Sequence, residues 1–290
     1  MRSMTTLPER AVRRCHSVVN PLHSTVYFAP DYANELAALG LEERGAVYFV
    51  GRAAAFGRVG AGTVTATFYN FKHDLVARHI PRAWDVVSPE DALAARLRAA
   101  DSVLRRLLGD DALASKELAE TAELALRATE ACSRSARPLY AAHADLPVPE
   151  APHLALWHAA TLLREHRGDT HLMALTAAGL DAVEALVSHT ATGKGMSPKW
   201  LLATRGWTAE ELAAGQDRLR TRGLLDEAGE LTEAGVALRE SVEDETDRLD
   251  AAPYEHLGAA GVARLTELAG AFTTRAMEAG AFPADLRSKN

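Results

Sequence analysis

Apolar residues recur at helical intervals along almost the whole chain. Residues 92–108 and 118–131 space Ala, Leu and Val three and four apart, the mark of a helix with one buried stripe. Residues 153–165 (HLALWHAATLLRE) are apolar on nearly every face, which predicts a helix buried among others. The C-terminal part carries the clearest punctuation. Residues 180–191 have the helical period, and Gly193 and Gly195 break it. Ser197 followed by Pro198 reads as an N-cap with proline at the first helical position. That short helix ends near Arg205 and Gly206. Thr208 to Glu211 forms a capping-box pattern, opening a helix that runs to Arg222, with Gly223 as a left-handed cap. Leu224 to Asp226 and Glu230 to Leu231 read as two short strands around a turn, and Thr232 caps a last helix reaching Leu249.

The order helix, helix, helix, hairpin, helix predicts a winged helix over residues 180–249. Residues 218–240 (RLRTRGLLDEAGELTEAGVALRE) resemble the equivalent stretch of MarR-type winged-helix regulators. The first half repeats the plan in weaker form. Leu39-Gly40-Leu41 precedes a helix as Ala178-Gly179-Leu180 does, and residues 67–77 align with 204–214. In that first copy the wing shrinks to Asp85-Val86-Val87, and Pro81 shortens the third helix. The expected fold is therefore mainly α: two tandem winged-helix-like units, the first degenerate, packed around buried helices. The expected division is 1–132 for the first half, a Pro-rich linker at 133–152, and 153–290 for the second half.

Composition agrees with an α fold. Hydrophobic residues make up 48% of the chain, many of them Ala, and strand formers are scarce. The net charge of −7 argues against non-specific nucleic-acid binding, which needs basic surface. The two cysteines, Cys15 and Cys132, form neither a metal spacing nor a disulfide framework. Residues 1–17 lack the apolar run of a signal peptide, and no stretch approaches a membrane span. Together these point to the cytoplasm. There is no H-E-x-x-H, no Gly-rich phosphate loop and no G-x-S-x-G elbow.

The candidate chemistry centres on the polar run Arg164-Glu165-His166-Arg167-Gly168-Asp169-Thr170-His171, read as a corner where Gly168 ends one helix and Asp169 caps the next. His158 and Glu165 lie two turns apart on one face, and a buried histidine with a carboxylate is a starting point for acid–base work. With Tyr27 they form the catalytic candidates. His166 and His171, flanking the expected turn, are the candidate ligands of a metal ion or haem. His23, Asn70, Arg164, Arg167 and Asp169 are the candidate small-molecule contacts, the arginines suiting an anionic group. Asn70 also has a structural reading, as the N-cap of the helix after it.

For DNA, the candidates are Lys72, Arg218, Arg220 and Arg222. The expected recognition helix, however, opens with Glu210 and Glu211, and the wing carries Asp226, Glu227 and Glu230. Carboxylates facing phosphate repel it. The chain as a whole resembles an actinobacterial SalK-like helix-turn-helix family, through residues 23–30 (HSTVYFAP), 65–71 (TATFYNF), 155–171 (ALWHAATLLREHRGDTH) and 205–225. That resemblance implies a fold and carries no mechanism. Two functions follow. One is a small-molecule binding protein, with or without catalysis, using a cleft between two winged-helix halves. The other is a ligand-responsive transcription regulator on DNA. The long helices at 92–108 and 232–249 suit a homodimer as well as a monomer core.

Overall fold

A computed structural model describes residues 7–286, so part of the charged N-terminal stretch 1–17 lies outside the described residues. The helices are α1 (Ala11–Ser24), α2 (Asp31–Ala38), α3 (Arg44–Ala53), α4 (Ala61–Phe68), α5 (His73–His79), α6 (Pro89–Leu108), α7 (Asp110–Leu113), α8 (Lys116–Thr129), α9 (Pro138–Ala144), α10 (Pro152–Ala177), α11 (Ala182–Ala191), α12 (Pro198–Thr204), α13 (Ala209–Thr221), α14 (Glu233–Leu249) and α15 (Ala252–Glu278). The protein is mainly α. One antiparallel bridge, Leu225 with Leu231, is the β pairing among the described residues. No single described helix is long and apolar enough to cross a membrane.

The chain divides into two compact units. Unit 1 takes the described residues up to Arg58, then Arg82–Asp169 and Asp247–Phe282. Here α15 packs on α1 and α8, and α6 on α2. The apolar stripes Val19 and Leu22 of α1, Ala99 and Val103 of α6, and Leu265 and Phe272 of α15 are buried. Ser88 caps α6 by accepting from Asp91 N–H, with Pro89 at the first turn.

Unit 2 takes Val59–Pro81, Thr170–Thr246 and the described residues from Pro283. Its core joins Leu175, Leu180, Val183, Leu219, Leu225 and Val242. Asp181 opens α11 with a capping box closed by Glu184, and Thr208 opens α13 with one closed by Glu211. Gly223 follows α13 at φ 69°, and the Thr232 hydroxyl accepts from Gly235 N–H at the head of α14. Segment 67–77 lies against 204–211 in this unit. Trp207 Nε1 donates to Asn70 O, Lys72 N–H donates to Arg205 O, and Lys72 Nζ reaches Glu211 at 2.6 Å.

Five local expectations change. The wing is a single bridge rather than two strands, because Asp226 turns the chain within five residues. Its carbonyl accepts from Gly229 N–H and its side chain from Glu230 N–H, leaving no length for a ladder. Gly168 does not end a helix: α10 runs through it without a break. Asp169 caps a different helix, accepting from Tyr140 N–H in the first turn of α9. Residues 133–152 hold α9, started by Pro138 at its first position, and are not wholly extended. Asn70 is not the N-cap of α5; Lys72 holds that place.

Candidate functional site

Unit 1 buries an unusual amount of charge. Arg52 on α3 and Arg96 on α6 both occupy apolar stripes, between Phe49 and Ala53 and between Ala92 and Ala99. They are 5% and 2% exposed, and Glu165 on α10 is 0% exposed. The Arg52 guanidinium forks onto Glu165, Nε to Oε1 at 3.2 Å and Nη2 to Oε2 at 2.9 Å. Arg164 also bonds the Glu165 carboxylate. Burial alone would raise the pKa of Glu165, but Arg164 and Arg52 hold it well below the usual carboxylate range. The two guanidiniums thus favour the ionised form of Glu165.

Arg96 is placed differently. It makes no ion pair among the described residues. Its Nη2 donates to Tyr27 OH at 2.8 Å, its Nη1 to His143 Nε2 at 3.1 Å, and its guanidinium lies 4.8 Å from the Trp157 ring centre. Its Nε–H is buried without an acceptor. His143 can accept because its own Nδ1–H donates to Leu139 O. Burial and Arg96 push His143 down to about 4, so it stays neutral.

His23 completes this nest. The Thr161 hydroxyl donates to Trp157 O at 2.8 Å, so its oxygen accepts from His23 Nδ1–H at 2.9 Å. That fixes the tautomer and leaves the Nε2 lone pair buried without a partner. Burial first, then Arg96, lowers the His23 pKa well below its ordinary value. The His23 ring meets Tyr27 edge-on at 5.4 Å and stacks near Trp157 at 6.4 Å.

A cleft of about 360 Å³ opens beside this nest. Its walls include Val26, Tyr27, Phe28, Pro30 and Tyr48, with Arg44 exposed at the rim. Tyr27 and Tyr48 pack edge to face at 5.2 Å. Each phenol oxygen accepts from a buried arginine: Tyr27 from Arg96, Tyr48 from Arg52 at 2.9 Å. The Tyr27 hydroxyl hydrogen is thereby left to donate. Burial raises the Tyr27 pKa although Arg96 and Arg52 oppose it, so the phenol remains a donor. Arg44 makes no ion pair among the described residues.

Of the sequence candidates, His23, Tyr27, Arg164 and Glu165 come together here. His158 is buried nearby, lowered to about 4 by burial and Arg96. His166 and Arg167 belong to a separate network in unit 1. His166 Nδ1 meets Asp250 at 2.5 Å, and Arg167 reaches Asp247 at 2.7 Å, where Arg13 also binds. Asp169 serves α9 and is pushed up to about 6, chiefly by burial.

His171, Asn70 and the DNA candidates lie in unit 2. His171 meets the Thr246 hydroxyl at 3.0 Å. With α10 unbroken, the five-residue spacing of His166 and His171 turns them roughly 140° apart around the helix. The expected convergence of the two is thus corrected, and no metal-holding group of three or more His, Cys, Asp or Glu exists among the described residues. Arg218 pairs with Asp181 at 2.6 Å, Arg222 with Glu184 at 2.9 Å, and Arg220 with Asp217 at 2.8 Å. The sequence reading missed Arg52, Arg96, His143 and Tyr48. The first two were visible as cations standing on apolar stripes.

Fold and site together define a mainly helical protein of two units, one of which holds buried cations beside an aromatic cleft. The chain belongs to a helix-turn-helix family, whose model matches residues 12–283. No curated protein and no solved structure matches it.

Proposed function

We propose that this protein binds a small organic anion with a flat, apolar body in the unit 1 cleft. The observation that carries this reading is Arg96: a fully buried guanidinium with no carboxylate of its own, one hydrogen bond behind the cleft wall at Tyr27. An unpaired buried charge is costly, and a ligand anion would offset it. The aromatic wall supplies the apolar contact, and the Tyr27 phenol and Arg44 supply the polar one. The volume suits a molecule of metabolite size. Two free thiols accord with a reducing compartment, the cytoplasm.

The same reading takes the chain as two related winged-helix-like halves of the SalK-like kind, the second similar to MarR-type units. Two features support it. Gly40 and Gly179 close the same Schellman pattern, each followed by a Leu whose N–H returns five residues. The aligned segments 67–77 and 204–211 pack on one another in unit 2.

Benzoate tests the proposal. Calorimetric titration of the full chain is expected to give saturable one-to-one binding. Arg44→Ala, at an exposed position, should weaken it about tenfold or more, the worth of a charge-assisted bond. Absence of binding by benzoate and by its larger analogue cinnamate, or binding indifferent to Arg44→Ala, overturns it.

Family membership favours a second reading, a transcription regulator on DNA. Against it stands the exposed face of α13, where Glu210, Ala213, Ala214, Asp217 and Thr221 present acidic and small side chains to solvent and the exposed Arg218 is paired with Asp181.

A further inference from the structure

The winged-helix unit has a cleft of its own, of about 190 Å³. It is framed by the end of α11 (Val187, Ala191), the start of α12 (Ser197, Leu201), the middle of α13 (Leu212, Gln216) and the turn at Gly229 and Glu230. Its chemistry is the reverse of the unit 1 cleft. No lining side chain is cationic, and the single charge is the Glu230 carboxylate, exposed at the mouth. The walls are mostly aliphatic.

Ser197 is the feature that asks for a ligand. It stands at the N-cap position of α12, yet its side chain makes no cap bond. The residue is 3% exposed, and its hydroxyl oxygen is buried with no hydrogen-bond partner. A buried hydroxyl left unpaired costs about 1–3 kcal/mol, so native proteins seldom tolerate one. Gln216, half-buried on the facing helix, adds an amide to the same wall.

We propose that this cleft is a second ligand site, for a small uncharged ring molecule carrying one hydrogen-bonding group. Its size supports that class: cavities of about 150 Å³ hold benzene. The aliphatic walls take the ring, and Ser197 pairs with the polar group. The carboxylate at the mouth, with no cation to balance it, excludes anions. Such a ligand touches α11, α12, α13 and the turn at once, and so braces the helix-turn-helix itself. The inference does not depend on the unit 1 reading.

Indole is the probe, followed by amide resonances of the full-length protein in nuclear magnetic resonance. Saturable shifts are expected at Thr190, Gly193, Ser197, Gln216 and Gly229, and not at Tyr27 or Tyr48. Ala191→Phe, which fills the cleft from α11, should abolish them. Ser197→Ala should weaken binding by about three- to tenfold, one neutral hydrogen bond. The Ser197 variant keeps the test open if the Phe variant folds poorly. Shifts that do not saturate up to the solubility of indole overturn the proposal. So do shifts unchanged in both variants, or benzoate binding there as tightly as indole.

Discussion

Arg52 and Arg96 sit at comparable depth in one cluster, but removing them should have opposite consequences. Arg52 is half of a forked pair with Glu165, so Arg52→Met strands a buried carboxylate with Arg164 alone. We expect a loss of about 3 kcal/mol, the usual cost of breaking a buried pair. Arg96 leaves behind only a phenol and a neutral imidazole. Arg96→Met should therefore change stability little or raise it by up to about 2 kcal/mol. Urea unfolding of the two variants decides it, and an Arg96 variant as damaged as the Arg52 one contradicts the site's excess of positive charge. The protonation of neighbouring groups gives a second test. His143 and His158 fall to about 4, below their unfolded values. Their contribution to stability is present above about pH 6.5 and is lost as pH falls through about 4. Asp169 runs the other way. Raised to about 6, it contributes stability below about pH 3.8 that is lost as pH rises through about 6. Asp169→Asn keeps an acceptor for Tyr140 N–H without the charge. It should raise stability at pH 7.5 by about 1–2 kcal/mol and leave it nearly unchanged at pH 4. Equal effects at both pH values would refute the raised pKa.

At the scale of elements, two glycines that look alike in sequence differ in what surrounds them. Gly168 lies inside α10, and a Cβ there would meet the ends of two side chains, the Arg164 guanidinium at 3.2 Å and the Glu165 carboxylate at 3.7 Å. Gly168→Ala should gain about 0.5 kcal/mol of helix propensity. Gly215 lies inside α13, and its Cβ would stand 2.5 Å from Val183 Cγ1 on α11. Gly215→Ala should cost about 1–3 kcal/mol by overpacking, visible as a lower melting temperature, and Val183→Ala should rescue part of it. A neutral Gly215→Ala would mean that α11 and α13 are not held at this spacing. The caps at Thr208, Gly223 and Thr232 were legible because local chemistry sets them. Gly168 misled because glycine marks helix ends on average, while tertiary contacts decide the individual case. Asp169, the expected cap, is drawn instead to α9. The helix α9 was hidden for a related reason: proline reads as a breaker, yet Pro138 starts this helix.

For the whole molecule, the question is whether a helix-turn-helix family member must read DNA. Element order was legible from periodicity and caps, and the helix-turn-helix family from the stretches that resemble it. The site was legible only in part. His23, Tyr27 and Glu165 stood in motifs that drew notice, whereas Arg52 meets Glu165, Arg96 meets Tyr27 and His143 meets Arg96, each across more than forty residues of sequence and only in the fold. The charges on unit 2 weigh on the DNA question physically. Arg218 and Arg222 are paired with Asp181 and Glu184, and Lys72 with Glu211. A phosphate would have to break those pairs while facing Glu210 and Asp217 on the exposed side of α13. With a net charge of −7 there is also little long-range attraction. Fluorescence anisotropy with labelled duplexes from the protein's own upstream region should therefore show no saturable binding at about 0.15 M salt. Lys72→Ala and Arg218→Ala should shift thermal stability slightly, by less than about 1 kcal/mol for such exposed pairs, and leave the anisotropy flat. Salt-dependent, sequence-selective binding lost in Arg218→Ala would establish the regulator reading instead. It would also require α13 to shed its ion pairs on meeting DNA.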